Sequence, residues 1–137
     1  MLVQNQIYFR REDIEMENIL ITGGAGFIGS HLTGKLLKEG NRVICVDNFE
    51  LGRKENLAMY SDNSNLEIIE LDVSEVDKFS DLLAEKKIDR IYHLAANSDI
   101  QKSARMPGVD FKNTFSTTYS VLEGMRRNGI KKLFFAS

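Results

Sequence analysis

The chain has 137 residues, of which 42% are hydrophobic and 28% charged, with a formal net charge of -2 at pH 7. These values are typical of one globular domain that is large enough to bury a core. The slight negative charge argues against a nucleic-acid surface, because phosphate binding favours an excess of Lys and Arg.

Two further features bear on where the protein works. No apolar run approaches the roughly 20 residues that span a bilayer, and residues 1–15 lack the apolar centre of a secretory signal. The single cysteine, Cys45, has no partner for an internal disulfide. We therefore expect a cytoplasmic protein, since a reducing compartment suits a lone thiol.

Five short apolar runs alternate with segments of helical spacing. The runs are 19–21, 43–46, 66–71, 91–94 and 133–135. Four of them are predicted to be strands buried on both faces, because their apolar side chains follow one another instead of alternating with polar ones. Glu67 and Glu70 interrupt the third run, which favours a position near the sheet edge.

The first two helical segments lie on either side of the second strand. The first is predicted to end at Gly40, a residue suited to a left-handed cap. A shorter helix is predicted over residues 53–60. The inward face of the first helix is predicted to be Ile28, Leu32, Leu36 and Leu37.

Two more helices follow the third and fourth strands. Ser74 is predicted to cap the earlier one, whose inward stripe is Val76, Phe79, Leu82 and Leu83. The later one is predicted over residues 109–128, with Gly129 as its stop. Its predicted inward side chains are Phe111, Phe115, Leu122 and Met125.

Alternation of strands and helices indicates parallel strands joined by right-handed crossovers. The predicted fold is an α/β, doubly wound parallel (Rossmann) sheet with strand order 3-2-1-4-5. Residues 1–17 do not fit this pattern, and Met16 begins a phrase that would be a natural chain start. We therefore treat 1–17 as an N-terminal extension, in which a short strand at 7–9 is conceivable, and 18–137 as the domain.

A glycine-rich turn follows the first strand. It satisfies G-x-G-x-x-G through Gly24, Gly26 and Gly29, and G-x-x-G-x-x-G through Gly23, Gly26 and Gly29. Gly23 allows a sharp turn off the strand, and Gly26 lets the backbone approach a pyrophosphate. Gly29 permits close contact between helix and strand. The free N–H groups of the helix start would then bind the pyrophosphate.

An acidic residue, Asp47, ends the next strand at the distance that this motif requires. A carboxylate there accepts hydrogen bonds from ribose hydroxyls and repels the 2′-phosphate of NADP, so NAD is the predicted cofactor. Arg53 and Lys54 follow soon after and would soften that preference. The plainer alternative is a tight turn that binds nothing, with Asp47 as a solvated residue at a strand end.

Together these motifs resemble the extended short-chain dehydrogenase/reductase family, and within it the nucleotide-sugar epimerases and dehydratases of the UDP-glucose 4-epimerase kind. The likeness rests on TGGAGFIGSHL, VDN at 46–48, LDV at 71–73, HLAA at 93–96 and Asn113. It covers residues 17–137. The resemblance implies an NAD cofactor, a nucleotide-diphosphate sugar substrate, hydride exchange at the sugar C4 carbon and a homodimer.

The resemblance also implies a set of cofactor contacts. The pyrophosphate site would be lined by Gly23, Gly26, Phe27, Ile28 and Gly29. The adenosine ribose would be held by Asp47 and Asn48, and the adenine by Asp72 and Val73. The nicotinamide side would be lined by Leu94, Ala95 and Ala96, with Ser98 and Asn113 as further contacts. The plainer alternative has Asp72 capping the helix near Ser74, and Ala95 and Ala96 as ordinary packing residues.

Catalytic residues are not predicted within these 137 residues. Relatives of the resembled family use a Tyr-x-x-x-Lys pair, in which the lysine lowers the pKa of the tyrosine. None of Tyr8, Tyr60, Tyr92 and Tyr119 has Lys or Arg four positions later. The two histidines, His31 and His93, are predicted to be structural, and no metal site is expected.

We therefore expect the cofactor-binding portion of an incomplete enzyme. Its catalytic segment and substrate domain would lie beyond Ser137, and the polypeptide alone would not turn over. The competing hypothesis is a non-catalytic NAD-binding module or sensor.

Overall fold

The computed structural model describes residues 15–97 and 99–136, so the conceivable strand at 7–9 and the predicted contact Ser98 lie outside the described residues. The five strands are β1 (Asn18–Thr22), β2 (Arg42–Asp47), β3 (Leu66–Glu70), β4 (Arg90–His93) and β5 (Lys132–Phe135). They form one sheet in the order β3-β2-β1-β4-β5, and every pair is parallel. The predicted doubly wound fold and strand order are confirmed.

The helical elements are α1 (Phe27–Lys38), a 3₁₀ helix (Lys54–Tyr60), α2 (Val76–Lys86), α3 (Ile100–Arg105), α4 (Gly108–Asp110), a π segment (Phe111–Ser116) and α5 (Thr117–Asn128). The last three run on as one helix, because the residues at their junctions keep right-handed helical dihedrals. Helix α3 was not predicted; the Asp99 carboxylate caps it by accepting from the Lys102 N–H at 2.9 Å. Within the described ranges, no helix has the length and apolarity to cross a membrane.

The core has one layer on each face of the sheet. Leu20 and Ile44 point to the layer formed with α2 and α5, whereas Ile19, Ile21 and Val43 point to the layer formed with α1. Successive residues of a strand face opposite sides. Both faces are covered by helices, which is why these strands read as unbroken apolar runs.

The fifth strand departs from its predicted burial. Phe134 and Phe135 are 52% and 48% exposed, although the run was predicted to be buried on both faces. Among the described residues β5 pairs only with β4, so it is an edge strand. The opposite edge is β3, as Glu67 and Glu70 predicted.

The predicted inward face of the last helix is wrong for three of its four residues. Phe111, Phe115 and Leu122 are 63%, 62% and 51% exposed, and only Met125 is buried. The buried side is made of smaller residues, namely Thr117, Ser120, Val121 and Gly124. A Cβ on Gly124 would lie 2.9 Å from Leu83 Cδ1. Small residues therefore face α2 because the two helices approach each other closely.

Two smaller expectations near helix starts are also corrected. Ile28 is 67% exposed and does not share the inward face of Leu36 and Leu37. Ser74 does not cap α2; Glu75 takes that position without a side-chain bond. The Ser74 hydroxyl instead donates to Asp72 Oδ1 at 2.6 Å, which fixes the turn after β3.

A matched pair of leucine substitutions tests whether the contact between α2 and α5 belongs to the hydrophobic core. Leu83→Ala removes a fully buried side chain and is expected to lower the free energy of unfolding by about 2–5 kcal/mol. Leu51→Ala makes the same chemical change at a side chain that is 50% exposed, outside the last helix, and is expected to cost less than about 1 kcal/mol. Urea denaturation measures both, and equal losses would contradict the assigned burial of Leu83 between α2 and α5.

Candidate functional site

A cavity of about 390 Å³ opens at the carboxyl ends of the strands. Its wall takes residues that follow each of the five strands, and it spans the point between β1 and β4 where the strand order reverses. Ligands of doubly wound folds bind at this place. Every predicted site residue within the described ranges lines it: Gly23, Gly26, Phe27, Ile28, Gly29, Asp47, Asn48, Asp72, Val73, Leu94, Ala95, Ala96 and Asn113.

The glycine turn is held by close backbone contacts. Gly23 has a φ of +72°, in the left-handed region, and its N–H donates to the Val46 carbonyl at 2.8 Å. A Cβ on Gly23 would lie 2.9 Å from the Ala95 nitrogen, and one on Gly29 only 2.3 Å from the Gly23 oxygen. Side chains at these two positions would push the turn off its neighbours.

The start of α1 presents an open face to the cavity. Gly26 is the extended N-cap residue, no side chain caps the helix, and its first turn carries no acidic residue. A Cβ on Gly26 would meet only the Gly23 oxygen within 4 Å, at 3.3 Å. Phe27 and Ile28 are 78% and 67% exposed at the same mouth. Backbone donors without a side-chain acceptor, beside open space, suit an anionic group.

Asp47 has a structural role that the sequence did not reveal. Its Oδ2 accepts from the Ala25 N–H at 3.0 Å and its Oδ1 from the Phe49 N–H at 2.9 Å. The carboxylate thereby ties the end of β2 to the glycine turn, and the residue is only 8% exposed. Each carboxylate oxygen keeps a further lone pair. Contact with a ribose stays a prediction, and Asp47 is the residue beside the turn that is placed to make it.

Asp72 is already engaged on both oxygens. Oδ1 accepts from the backbone N–H and hydroxyl of Ser74, and Oδ2 pairs with Lys112 Nζ at 2.8 Å. Burial acts to raise the pKa of Asp72, but the hydrogen bonds from Lys112 and Ser74 outweigh it and hold the pKa below its ordinary value. Asp72 is therefore an ionised acceptor at neutral pH, and its pair with Lys112 links the end of β3 to the π segment.

A second ion pair crosses the rim. Glu50, in the loop after β2, pairs with Lys102 of α3 at 2.9 Å. The hydrogen bond from Lys102 holds the pKa of Glu50 below its ordinary value. Sequence reasoning missed this loop and also Lys112. The available signals were that the loop directly follows Asp47 and that Lys112 immediately precedes Asn113.

Cys45 lies directly behind the glycine turn. It is fully buried, and its Sγ lies 3.0 Å from the Thr33 hydroxyl. A Cβ on Gly24 would come within 2.8 Å of that sulfur. Burial raises the pKa of the Cys45 thiol to about 11. The group is therefore a small apolar filler and not a nucleophile.

No cluster of three His, Cys, Asp or Glu side chains that could hold a metal ion occurs within residues 15–97 and 99–136.

A pair of glycine substitutions tests the close contact under the turn. Gly29→Ala places a methyl group 2.3 Å from backbone oxygen and is expected to lower the free energy of unfolding by at least about 1–3 kcal/mol. Gly108→Ala is the control, since a Cβ there meets nothing within 4 Å. Urea denaturation compares the two, and a Gly29→Ala chain as stable as Gly108→Ala would contradict the contact.

Known proteins resemble the chain in both sequence and structure. It is 34% identical over 136 residues to UDP-arabinose 4-epimerase 1 of Arabidopsis thaliana, a match that covers 94% of this chain and 32% of that protein. The chain thus spans about a third of the length of this relative.

Two solved structures superpose on it closely. UDP-glucose 4-epimerase of Thermotoga maritima, solved with UDP-glucose, has a TM-score of 0.80 and 37% identity, covering 88% of this chain and 37% of that one. UDP-glucose 4-epimerase of Thermus thermophilus, in complex with NAD, has a TM-score of 0.78 and 32% identity at the same coverage.

The family profile of GDP-mannose 4,6 dehydratase matches residues 20–137, which include the glycine turn and the other residues named above that line the cavity. Since the match takes in most of the chain, the chain belongs to the GDP-mannose 4,6 dehydratase family of nucleotide-sugar epimerases and dehydratases.

Proposed function

We propose that this chain forms the NAD-binding part of a nucleotide-sugar epimerase or dehydratase of the UDP-glucose 4-epimerase kind. The observation that carries the proposal is one cavity that joins the open start of α1 to two carboxylates, Asp47 and Asp72. An anion-binding helix start beside ribose and adenine acceptors matches the three parts of an adenosine diphosphate. The complex of the Thermus thermophilus relative with NAD supports this choice of ligand.

The residues present suit such a cofactor. The glycine turn would bind the pyrophosphate through backbone N–H groups, Asp47 and Asn48 the ribose, and Asp72 and Val73 the adenine. Leu94, Ala95 and Ala96 would form the floor of the nicotinamide side, and Asn113 would be a further contact. Bound NAD would supply the hydride acceptor for oxidation at the sugar C4 carbon.

The charges beside the ribose position favour NAD over NADP. Asp47 would repel a 2′-phosphate. Lys54, which the sequence left as a potential phosphate partner, pairs with Glu70 at 3.2 Å and lies 4.8 Å from the centre of the Phe49 ring. Both side chains of this pair are exposed, so the pair holds Lys54 only weakly. The preference for NAD therefore rests on Asp47.

We propose further that residues 18–137 form the cofactor domain, that 1–17 are an extension, and that the sugar chemistry needs residues additional to these. No tyrosine of the chain has a lysine four positions later. The similar Thermotoga maritima chain, solved with UDP-glucose, is more than twice as long, since the match covers 37% of it. An in-frame Tyr-x-x-x-Lys in the gene downstream of Ser137 supports the enzyme, and a stop codon there supports a binding module.

An aspartate substitution tests the cofactor site. Asp47→Ala is expected to weaken NAD binding by about 1–3 kcal/mol, the scale of a lost hydrogen bond to a charged group. Calorimetric titration with NAD measures the affinity, and circular dichroism checks that the variant is folded, because Asp47 also binds the turn. Asp81→Ala, on the exposed side of α2, is the control and should bind NAD as the wild type does.

Two outcomes would count against this assignment. Unchanged NAD affinity in folded Asp47→Ala would remove Asp47 from the site. A wild-type chain that binds no NAD would overturn the proposed function.

We also propose a homodimer through the outward face of the last helix, formed by Phe111, Phe115, Tyr119 and Leu122. These side chains are exposed and recur at helical spacing. Phe111 and Phe115 stack with ring centroids 5.3 Å apart, giving a continuous apolar stripe. Such a stripe suits a two-fold contact in which the same face of a second copy lies against it.

A single charge placed on this stripe tests the dimer. Phe115→Glu is expected to shift the wild-type dimer to monomer in sedimentation experiments, because an unpaired carboxylate would be buried in the interface. Lys131→Glu, away from the stripe, serves as the control and should sediment as the wild type. A monomeric wild type would contradict the proposal.

A further inference from the structure

A chain of hydrogen bonds passes through His93, the last residue of β4. The residue is 2% exposed. Its Nδ1 lies 2.6 Å from the Thr22 hydroxyl at the end of β1, and its Nε2 lies 3.0 Å from the Thr118 hydroxyl in α5. The imidazole therefore joins β1 and β4 to α5.

The direction of the first bond follows from counting donors at Thr22. Its hydroxyl oxygen accepts from the backbone N–H groups of Leu94 at 3.2 Å and Ala95 at 3.3 Å. The Leu94 N–H is shared with the Thr22 backbone carbonyl at 3.1 Å. Because two backbone N–H groups approach the hydroxyl oxygen, its own hydrogen is best donated to His93 Nδ1. The ring nitrogen on this side is the acceptor.

The second bond runs in the complementary sense. The Thr118 hydroxyl donates its hydrogen to the Thr114 carbonyl at 2.8 Å, which leaves its oxygen free to accept from His93 Nε2–H. Both ends of the ring thus favour the neutral Nε2–H tautomer. A protonated ring would direct Nδ1–H at an oxygen that two backbone N–H groups already approach.

Each end of this series of hydrogen bonds contacts residues near the cavity wall. On one side it fixes Leu94 and Ala95, which lie on the nicotinamide side. On the other side it reaches Thr114 in the π segment, whose hydroxyl also accepts from the Asn97 N–H at 3.3 Å. π segments are rare and concentrate at functional sites. This one brings Asn113 to the cavity wall.

We propose that neutral His93 is a positioning residue, which fixes the spacing between the floor at Leu94–Ala96 and the π segment across the nicotinamide half of the cavity. The inference rests on the proposed NAD function. His93 does not act as a base, because both ring nitrogens are engaged and burial lowers the pKa of His93 to about 4. Its contribution is to geometry and not to proton transfer.

The tautomer is tested on the wild-type chain without any ligand. Long-range ¹H–¹⁵N spectra of the labelled protein distinguish the two neutral tautomers and the protonated ring. We expect His93 to remain the Nε2–H form from neutral pH down to about pH 5. A protonated ring or the Nδ1–H form at neutral pH would overturn the hydrogen-bond chain.

The positioning role is tested by comparing two ligands, NAD and AMP, which lacks the nicotinamide half. His93→Phe keeps a ring but removes both bonds, and is expected to weaken NAD binding about tenfold while leaving AMP binding unchanged. Thr118→Val removes one bond and is expected to cost about threefold for NAD alone. Thr118→Ser retains the hydroxyl and should restore wild-type affinity.

Ser120→Ala is the matched control in the same helix. Its buried hydroxyl has no hydrogen-bond partner among the described residues, so NAD affinity should not change. Unchanged NAD affinity in folded His93→Phe would overturn the positioning role, and so would parallel losses for NAD and AMP, which indicate a general loss of structure. A wild type that binds neither nucleotide would overturn the proposed function itself. The ¹H–¹⁵N spectra of His93 would still test the hydrogen bonds in that case, because they need no ligand.

Discussion

The carboxylate of Asp47 is the contact on which the cavity depends. By accepting from the Ala25 and Phe49 N–H groups it fixes the glycine turn against the end of β2. The position of the glycine turn then determines where α1 begins, because Gly29 lies against the Gly23 oxygen with no room for a side chain. A buried carboxylate with two backbone donors is strongly held. The residue that the motif links to ribose is thus also the residue that fixes the glycine turn.

The strands could be predicted because their causes are local, and their order followed from the doubly wound fold that the alternation of strands and helices indicates. β1 and β2 are apolar on both faces, and the glycine spacing places a turn between strand and helix. The glutamates of β3 indicated an edge. The cavity followed from the same information, since the carboxyl ends of parallel strands meet on one side of the sheet.

The face of the last helix could not be predicted, because periodicity identifies two faces without saying which one is buried. Hydrophobicity favoured Phe111 and Phe115, whereas the structure buries the side with Ser120 and Gly124. The cause is the close approach of α2, which depends on residues far away in sequence. The π segment further changes the helical phase between residues 111 and 116. The pairing of Asp72 with Lys112 could not be predicted either, because the two residues are far apart in sequence and meet only in the folded chain.

The reactivity of Cys45 depends on whether the glycine turn is closed. Its sulfur lies behind Gly24 with no room for one additional carbon, so a thiol reagent reaches it only after the turn lifts away from β2. The rate of alkylation would then follow local opening of this region and not the exposure of the native state. A ligand bound to the turn would slow that rate. The alkylation rate of Cys45 would therefore report how much of the protein has ligand bound.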